Sequence, residues 1–229
     1  MASRPVFMPL KEFPYVKEAM VEFKWHAGFA VSQKRKSIVE FHEAIGALGL
    51  GKSCLEISSK SNLEIGTALS AFFLKVELSS GQYVAVENIF QSAKIFEHAG
   101  PFKDLLQKTP LEAKRDIRLK ESGDMVGFRG KEGIWPLEPK TLFYDWIYIN
   151  ALHRQSELAS AVLAFDSFTD IEFNPGKSFN CQARSVALYI GLFNSRKLQS
   201  VLENSDSYKK LMMQGVDKII EKPVQKNLI

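Results

Sequence analysis

The sequence predicts an α+β fold, mainly helical, built as a single domain with one β-hairpin and a few short strands. Three observations carry this reading. Apolar residues recur at spacings of three and four through most of the chain, strict alternation is confined to short stretches such as Phe72 to Leu78, and no linker, repeat or low-complexity segment divides the sequence. A hydrophobic fraction of 45% beside 24% charged residues is that of a globular chain, and 229 residues suffice for one sizeable core.

The elements follow in order. Val21 to Trp25 alternates apolar with charged residues and reads as a half-buried strand. Ile38, Phe41, Ile45 and Leu48 mark a helix stopped at Gly49 and Gly51. Ser61-Asn62-Leu63-Glu64 has capping-box spacing, predicting a short helix toward Leu69. Phe72 to Leu78, Ser79-Ser80-Gly81 and Gln82 to Val86 form the hairpin. Glu87 to Ala99 reads as a helix ended by Gly100-Pro101, and Thr109-Pro110-Leu111-Glu112 caps another through about Lys120. A glycine-rich loop with Gly123, Gly127, Gly130 and Gly133 leads to Trp135-Pro136. Helices then follow at Thr141 to His153 and Glu157 to Ala164, a loop at Asp166 to Lys177, a buried helix at Cys181 to Phe193 and a basic helical tail beyond Ser195.

Composition narrows the function. A net charge of +4 permits nucleic acid as a partner without indicating it. Cys54 and Cys181 have neither metal-ligand spacing nor the makings of a disulfide framework, so a reducing cytoplasm is expected. Met1 to Leu10 lacks a signal-peptide core, and the longest apolar stretch, Val186 to Phe193, is far short of the ~20 residues that span a bilayer. The P-loop, dinucleotide, zincin and nucleophile-elbow signatures are missing, so no metal and no cofactor is expected.

Two constellations remain. At about 100° per residue, Glu87, Gln91, Lys94 and His98 share one stripe of their helix while Ile89, Phe90, Ala93 and Phe96 take another face. A solvated stripe and a catalytic one both satisfy the periodicity, but Glu87 starts where sheet turns to helix, a place neighbouring elements enclose. The run Asp166 to Asn180 brings carboxylates and asparagines ahead of a buried helix; it suits ribose hydroxyls and phosphate, or ordinary turns and caps. Trp135 is a core residue or a base-stacking platform, and Lys34-Arg35-Lys36 a solvated first turn or a phosphate contact. His26, His42 and His153 are scattered and read as structural.

The run Leu69-Ser70-Ala71-Phe72, a hairpin, then Val86-Glu87-Asn88-Ile89-Phe90-Gln91-Ser92-Ala93-Lys94-Ile95-Phe96 resembles the opening of the NADAR domain, also known from YbiA-like proteins. That family shows a Leu-Ser-Asn-Phe-like run, a hairpin, then Glu-His-x-Phe-Gln-x-x-Lys-Phe. Trp135, the acidic loop Asp166 to Asp170 and Asn180 extend the match to about Leu192. Ala71 stands where the family has Asn and Asn88 where it has His. The family's Asp-x-x-Trp-Gly is here Asp166-Ser167-Phe168-Thr169-Asp170, so either Asp166 or Asp170 answers to its acid. Ser32 to Ile38, Leu55 to Ser61 and Asn180 to Ser185 make the whole chain resemble more closely the NADAR antitoxins that accompany DarT-type toxins.

This resemblance implies an N-terminal elaboration (1–66), a NADAR core (67–195) and a helical tail (196–229). It implies an ADP-ribosyl glycohydrolase that removes ADP-ribose from guanine in DNA, undoing the work of a cognate DarT-type toxin. Glu87 and Lys94 become catalytic, Ser70, Phe72, Gln91, Trp135, Asp166 or Asp170, and Asn180 surround ADP-ribose, and Lys34, Arg35 and Lys36 meet the nucleic acid. An N-glycosidase acting on a riboflavin-pathway intermediate and a non-catalytic ADP-ribose-binding module are the competing expectations. The basic run opposes the first and the Glu87–Lys94 pair the second. In the implied chemistry Lys94 attacks C1 of the ribose and Glu87 moves protons. That requires a neutral amine, which a free lysine, with a pKa of about 10.4, scarcely offers at neutral pH.

Overall fold

In the computed structural model, which describes residues 1–214, the chain opens with β1 (Ala2–Pro9) and β2 (Val16–Phe23). They pair antiparallel from Ala2↔Phe23 to Pro9↔Val16. Of the strand expected at 21–25 only Val21 to Phe23 is strand, the end of the longer β2, and β1 was hidden by Pro5 and Pro9, which argue against a strand. α1 (Val31–Ala47) packs on β2, burying Ile38, Phe41 and Ile45 against Val21 and Phe23, with Phe23 and Phe41 stacked at 4.4 Å.

β3 (Cys54–Glu56) and α2 (Glu64–Ala68) follow. The expected capping box is not formed: the Ser61 hydroxyl accepts from Leu63 N, and Leu63 is the N-cap. The hairpin is present as β4 (Lys75–Glu77) and β5 (Tyr83–Ala85). α3 (Val86–Ala93) then runs straight into β6 (Lys94–Phe96), so the helix expected to reach Ala99 ends six residues early. A 3₁₀ turn (Lys103–Gln107) precedes α4 (Pro110–Arg115), whose Thr109–Glu112 capping box is formed as expected, and α5 (Arg118–Glu121).

The glycine-rich stretch is no loop. Its residues form β7 (Met125–Gly130) and β8 (Gly133–Trp135), which join β6 in a three-stranded sheet ordered β6-β7-β8. Glycines there let strands approach closely; a Cβ on Gly130 would lie 2.4 Å from Trp135 Nε1.

α6 (Leu142–His153) and α7 (Ser156–Ala161) lead to β9 (Ser167–Thr169), a strand inside the expected loop. β9 lies between β1, which it meets at Phe7↔Phe168, and β3, which it parallels, giving the sheet order β2-β1-β9-β3. The expected buried helix is α8 (Gln182–Asn194), wedged between α6 and β1. α9 (Leu198–Leu202) and α10 (Ser205–Met213) make the tail helical; its remainder, after residue 214, lies outside the described residues. The α+β class is as the sequence predicts. Among the described residues no helix is long and apolar enough to cross a membrane.

Gly191 sits where α8 presses on the turn between β1 and β2, and a Cβ there would lie 2.2 Å from the Tyr15 carbonyl oxygen. That oxygen already accepts from Leu10 N at 2.9 Å and has no room to move. Gly191→Ala is expected to destabilise the protein by about 1–3 kcal/mol, read as a lower Tm. Gly46→Ala, in α1 with nothing within 4 Å, should instead stabilise it by up to about 1 kcal/mol.

Candidate active site

α3 exists because Val86, Phe90 and Ala93 share an apolar face that packs on the core, and its N-terminus is fed without a break by β5. Glu87 falls in the first turn, where helix N–H groups favour a carboxylate. Its own N–H donates to the Ala71 carbonyl at 3.0 Å. One turn on, Gln91 Nε2 donates to Glu87 Oε1 at 2.9 Å. Asn88 points the other way, donating to the carbonyls of Leu105 and Lys108 at 2.8 Å each and so pinning the 3₁₀ turn to α3.

Lys94 is both the last cap of α3 and the first residue of β6, paired with Phe128. The expected stripe therefore holds for Glu87, Gln91 and Lys94 but not for His98, which lies beyond β6 with its N–H on the Ser122 carbonyl. Lys94 Nζ hangs 4.8 Å above the Phe90 ring, and Phe90 meets Tyr144 edge-on. Burial pulls the amine down to about 8; the Glu87 charge opposes this and the Lys114 charge adds to it. At that value about a tenth of the lysine is neutral at pH 7.

Glu87, Gln91 and Lys94 open into a cavity of about 600 Å³, a volume usual for small-molecule sites. Ser70, Phe72, Asp170 and Asn180 line it as well. Two hydrogen bonds of Gln182, at the start of α8, draw its walls together: Oε1 accepts from Ala71 N at 2.8 Å and Nε2 donates to the Ile57 carbonyl at 2.6 Å. Of the four buried side-chain polar atoms without a partner among the described residues, two belong to this lining, Gln91 Oε1 and Asn180 Oδ1. A buried unpaired acceptor costs free energy unless a ligand donates to it. A more open hollow of about 660 Å³ beside Arg35, Ser61 and Tyr83 contains no such atom.

The remaining sequence candidates lie elsewhere. Trp135 is not a platform: its ring is buried, covered by Phe143, Trp146, Tyr208 and the Lys209 amine. Asp166 is outside the cavity, where it accepts from Lys52 N and Ser53 N at 2.9 and 3.0 Å. Burial works to raise its pKa, and those N–H groups outweigh this and leave it below the usual value. Asp170, four residues on, is the acid in the cavity wall. Lys34 is engaged by Glu172 at 3.3 Å and by the Trp25 ring, while Arg35 and Lys36 are exposed away from the cavity lining.

Sequence reasoning missed Tyr144, Lys114 and Gln182, all in the lining, where Glu172, one of the carboxylates of the Asp166 to Asn180 run, also lies. Tyr144 was hidden in a helix whose apolar residues go all the way round. Lys114 sits in the exposed last turn of a well-signalled helix, and nothing local shows that Glu87 Oε1 is 3.8 Å away.

The model of a family described as DarT1-associated NADAR antitoxin matches residues 2–220. No curated protein matches the chain.

Below about pH 8 both folded and unfolded chains hold the Lys94 proton, and folding bears the full penalty of burying that charge. Between about 8 and 10.5 the folded chain releases it first, so this contribution to stability rises with pH. Lys94→Met, which keeps the bulk without the charge, should be more stable than the wild type at neutral pH and should lose that rise. Urea unfolding of both chains on either side of pH 8 measures it; parallel pH dependences would show that Lys94 is not desolvated.

Proposed function

The chain belongs to the DarT1-associated NADAR antitoxin family, and from that premise we propose that it hydrolyses the N-glycosidic bond between ADP-ribose and guanine in DNA. The observation that carries this reading is the cavity in which a carboxylate, a desolvated amine and two orphaned amide oxygens converge. Ribose hydroxyls and guanine N–H groups are donors of the kind that Gln91 Oε1 and Asn180 Oδ1 lack.

A nucleic-acid substrate is supported by the rim. Lys120 and Lys177 line the mouth, and Lys140 places its amine 3.7 Å from the ring centroid of Phe179, which is 58% exposed between two lining residues, Ser178 and Asn180. Lys120, Lys140 and Lys177 form no ion pair among the described residues. Free lysines beside an exposed aromatic ring suit a phosphate backbone and a stacked base, and are superfluous for a small metabolite. We assign phosphate contacts to these three first, and to Lys34, Arg35 and Lys36 second, because Lys34 already serves Glu172.

The reaction divides between Lys94 and Glu87. Lys94 gives up its proton to Glu87 and, now neutral, attacks C1 of the ribose; the C1–N bond to guanine breaks, and Glu87 passes that proton to the departing base. Opening of the ring C1–O bond then leaves a Schiff base, the ring oxygen taking the proton lost by the attacking nitrogen, through Glu87. Water adds to C1, and ADP-ribose and free Lys94 are released.

The test sets guanine-ADP-ribosylated oligonucleotide, ADP-ribosylated protein and a riboflavin intermediate side by side. Release of ADP-ribose from the oligonucleotide is expected, and turnover of the metabolite alone would overturn the reading. Borohydride added during turnover should fix ADP-ribose on Lys94, seen as a mass adduct on its peptide, and Lys94→Ala should lose both the adduct and most activity. Full activity in that variant would leave attack by water as the mechanism. Replacing Lys120, Lys140 and Lys177 by Ala should flatten the salt dependence of oligonucleotide turnover by about one unit of slope for each phosphate no longer neutralised. An ADP-ribosylated guanosine nucleoside should be turned over as before.

A further inference from the structure

Glu56 is among the buried groups that the mechanism leaves unused. On β3 in the N-terminal part of the chain, it is 2% exposed and lies behind the cavity wall. Its carboxylate accepts from Thr169 Oγ1 at 2.6 Å and from Ile171 N at 2.8 Å, the two residues that flank Asp170 in sequence. A third donor, Ser58 Oγ, reaches it at 2.6 Å, and Ser58 also lines the cavity. Behind Thr169, His42 Nε2 lies 2.9 Å from the same hydroxyl.

We infer that Glu56 is a positioning residue for Asp170, gripping the chain on both sides of it and setting how that acid meets the ligand. The inference rests on the proposed function for the ligand's identity, and on geometry alone for the grip. Two hydrogen bonds to the immediate neighbours of one residue fix where its Cα and side chain start, to a degree that neither bond achieves alone. Asp170 accepts from Glu172 N at 3.0 Å, whereas Glu56 accepts from three donors, the backbone N–H of Ile171 and the hydroxyls of Ser58 and Thr169. Burial raises both carboxyls, and the three hydrogen bonds to Glu56 work against that rise, so of the two Glu56 is better placed to hold the charge and Asp170 the proton.

Asp170 is accordingly held well above the usual carboxylate range, first by burial and then by the Glu56 charge. The other groups that face it are Glu172 in its own loop, Cys181 before α8, and Tyr144 and Tyr148 on α6. Glu172 is paired with Lys34 at 3.3 Å; the burial of the other three pushes their own pKa values up, so they add no charge at neutral pH. The consequence is chemical: a protonated Asp170 donates a hydrogen bond to a ligand oxygen, whereas an ionised one only accepts.

Glu56→Gln separates position from charge. Its carbonyl accepts from Ile171 N and Ser58 Oγ, and its amide donates to Thr169 Oγ1, whose proton turns to His42 Nε2. The grip survives and the charge is gone. In a carboxyl carbon NMR titration, with Asp170→Asn giving the assignment, Asp170 should lose its proton at least about one pH unit lower in Glu56→Gln than in the wild type. An unmoved midpoint overturns the charge coupling whatever the enzyme's substrate. In oligonucleotide turnover, Glu56→Gln should keep KM and shift the pH profile, while Glu56→Ala should raise KM several-fold. If Glu56→Ala does not fold, Thr169→Val removes one side of the grip at constant shape and should raise KM in the same direction. Wild-type KM in Glu56→Ala or Thr169→Val, or equal losses in Glu56→Gln and Glu56→Ala with no shift of profile, overturns the positioning role. If the wild type releases nothing from the oligonucleotide, the proposed function fails and the titration still decides the inference.

Discussion

Three residues of extended chain hold the molecule together. Ser167, Phe168 and Thr169 are wholly buried, and a buried backbone must find partners for its N–H and C=O groups. β9 finds them on both sides, with β1 at Phe7 and with β3 from Cys54 to Glu56, a ladder continued by Ile57 N donating to the Thr169 carbonyl at 2.7 Å. Both flanking strands come from the first 66 residues. That segment is thus no appendage: without it the strand that delivers Asp170 to the cavity has two bare edges. The polar side chains of β9 follow the same rule, Ser167 donating to Asp166 and Thr169 to Glu56.

From β9 the site is assembled by short reach. Asp170 leaves the sheet directly, Glu87 leaves β5 directly, and Lys94 leaves α3 directly, so each chemical group sits at a junction of sheet and helix where backbone direction is fixed on one side. Gln182 closes the arrangement by bridging Ala71 and Ile57 from the head of α8. Preorganisation of this kind leaves little motion to be frozen when a ligand enters, which is where binding energy is otherwise lost.

What was legible in the sequence follows from how each element is stabilised. α1, α6 and α8 bury runs long enough to show their period, and the Thr109–Glu112 box is satisfied entirely by neighbours in sequence. β9 and β3 are three residues each, too short for alternation, and their reason for being strands is a partner more than a hundred residues away. β1 was concealed by its prolines and β7–β8 by their glycines, residues that punctuate loops far more often than they line close strands. In the site, the stripe of Glu87, Gln91 and Lys94 was readable because it is local. The separation of Asp170 from Asp166 was not, because Lys52 and Ser53 decide it from across the sheet. Trp135 was ambiguous for a related reason: part of its cover, Tyr208 and Lys209, comes from much further along the chain.

The end of α3 at Ala93 settles a conflict that the sequence could only pose. On an unbroken helix Lys94 would stand two turns from Glu87 on the same stripe, beyond the one-turn spacing at which side chains pair. The chain instead turns extended at Lys94, with φ −63° and ψ 134°, and pairs it with Phe128, so the side chain leaves from a strand and crosses the Phe90 ring. Glu87 turns to Gln91 at 2.9 Å and to the more exposed Lys114 at 3.8 Å. Lys114 then acts twice on the pair: it answers the Glu87 charge, and its own charge lowers the pKa of Lys94. Burial is the larger force, and with Glu87 engaged elsewhere its attraction no longer cancels that force. The lowered pKa of Lys94 thus belongs to the buried place that β6 gives it, against the smaller opposing pull of the Glu87 charge.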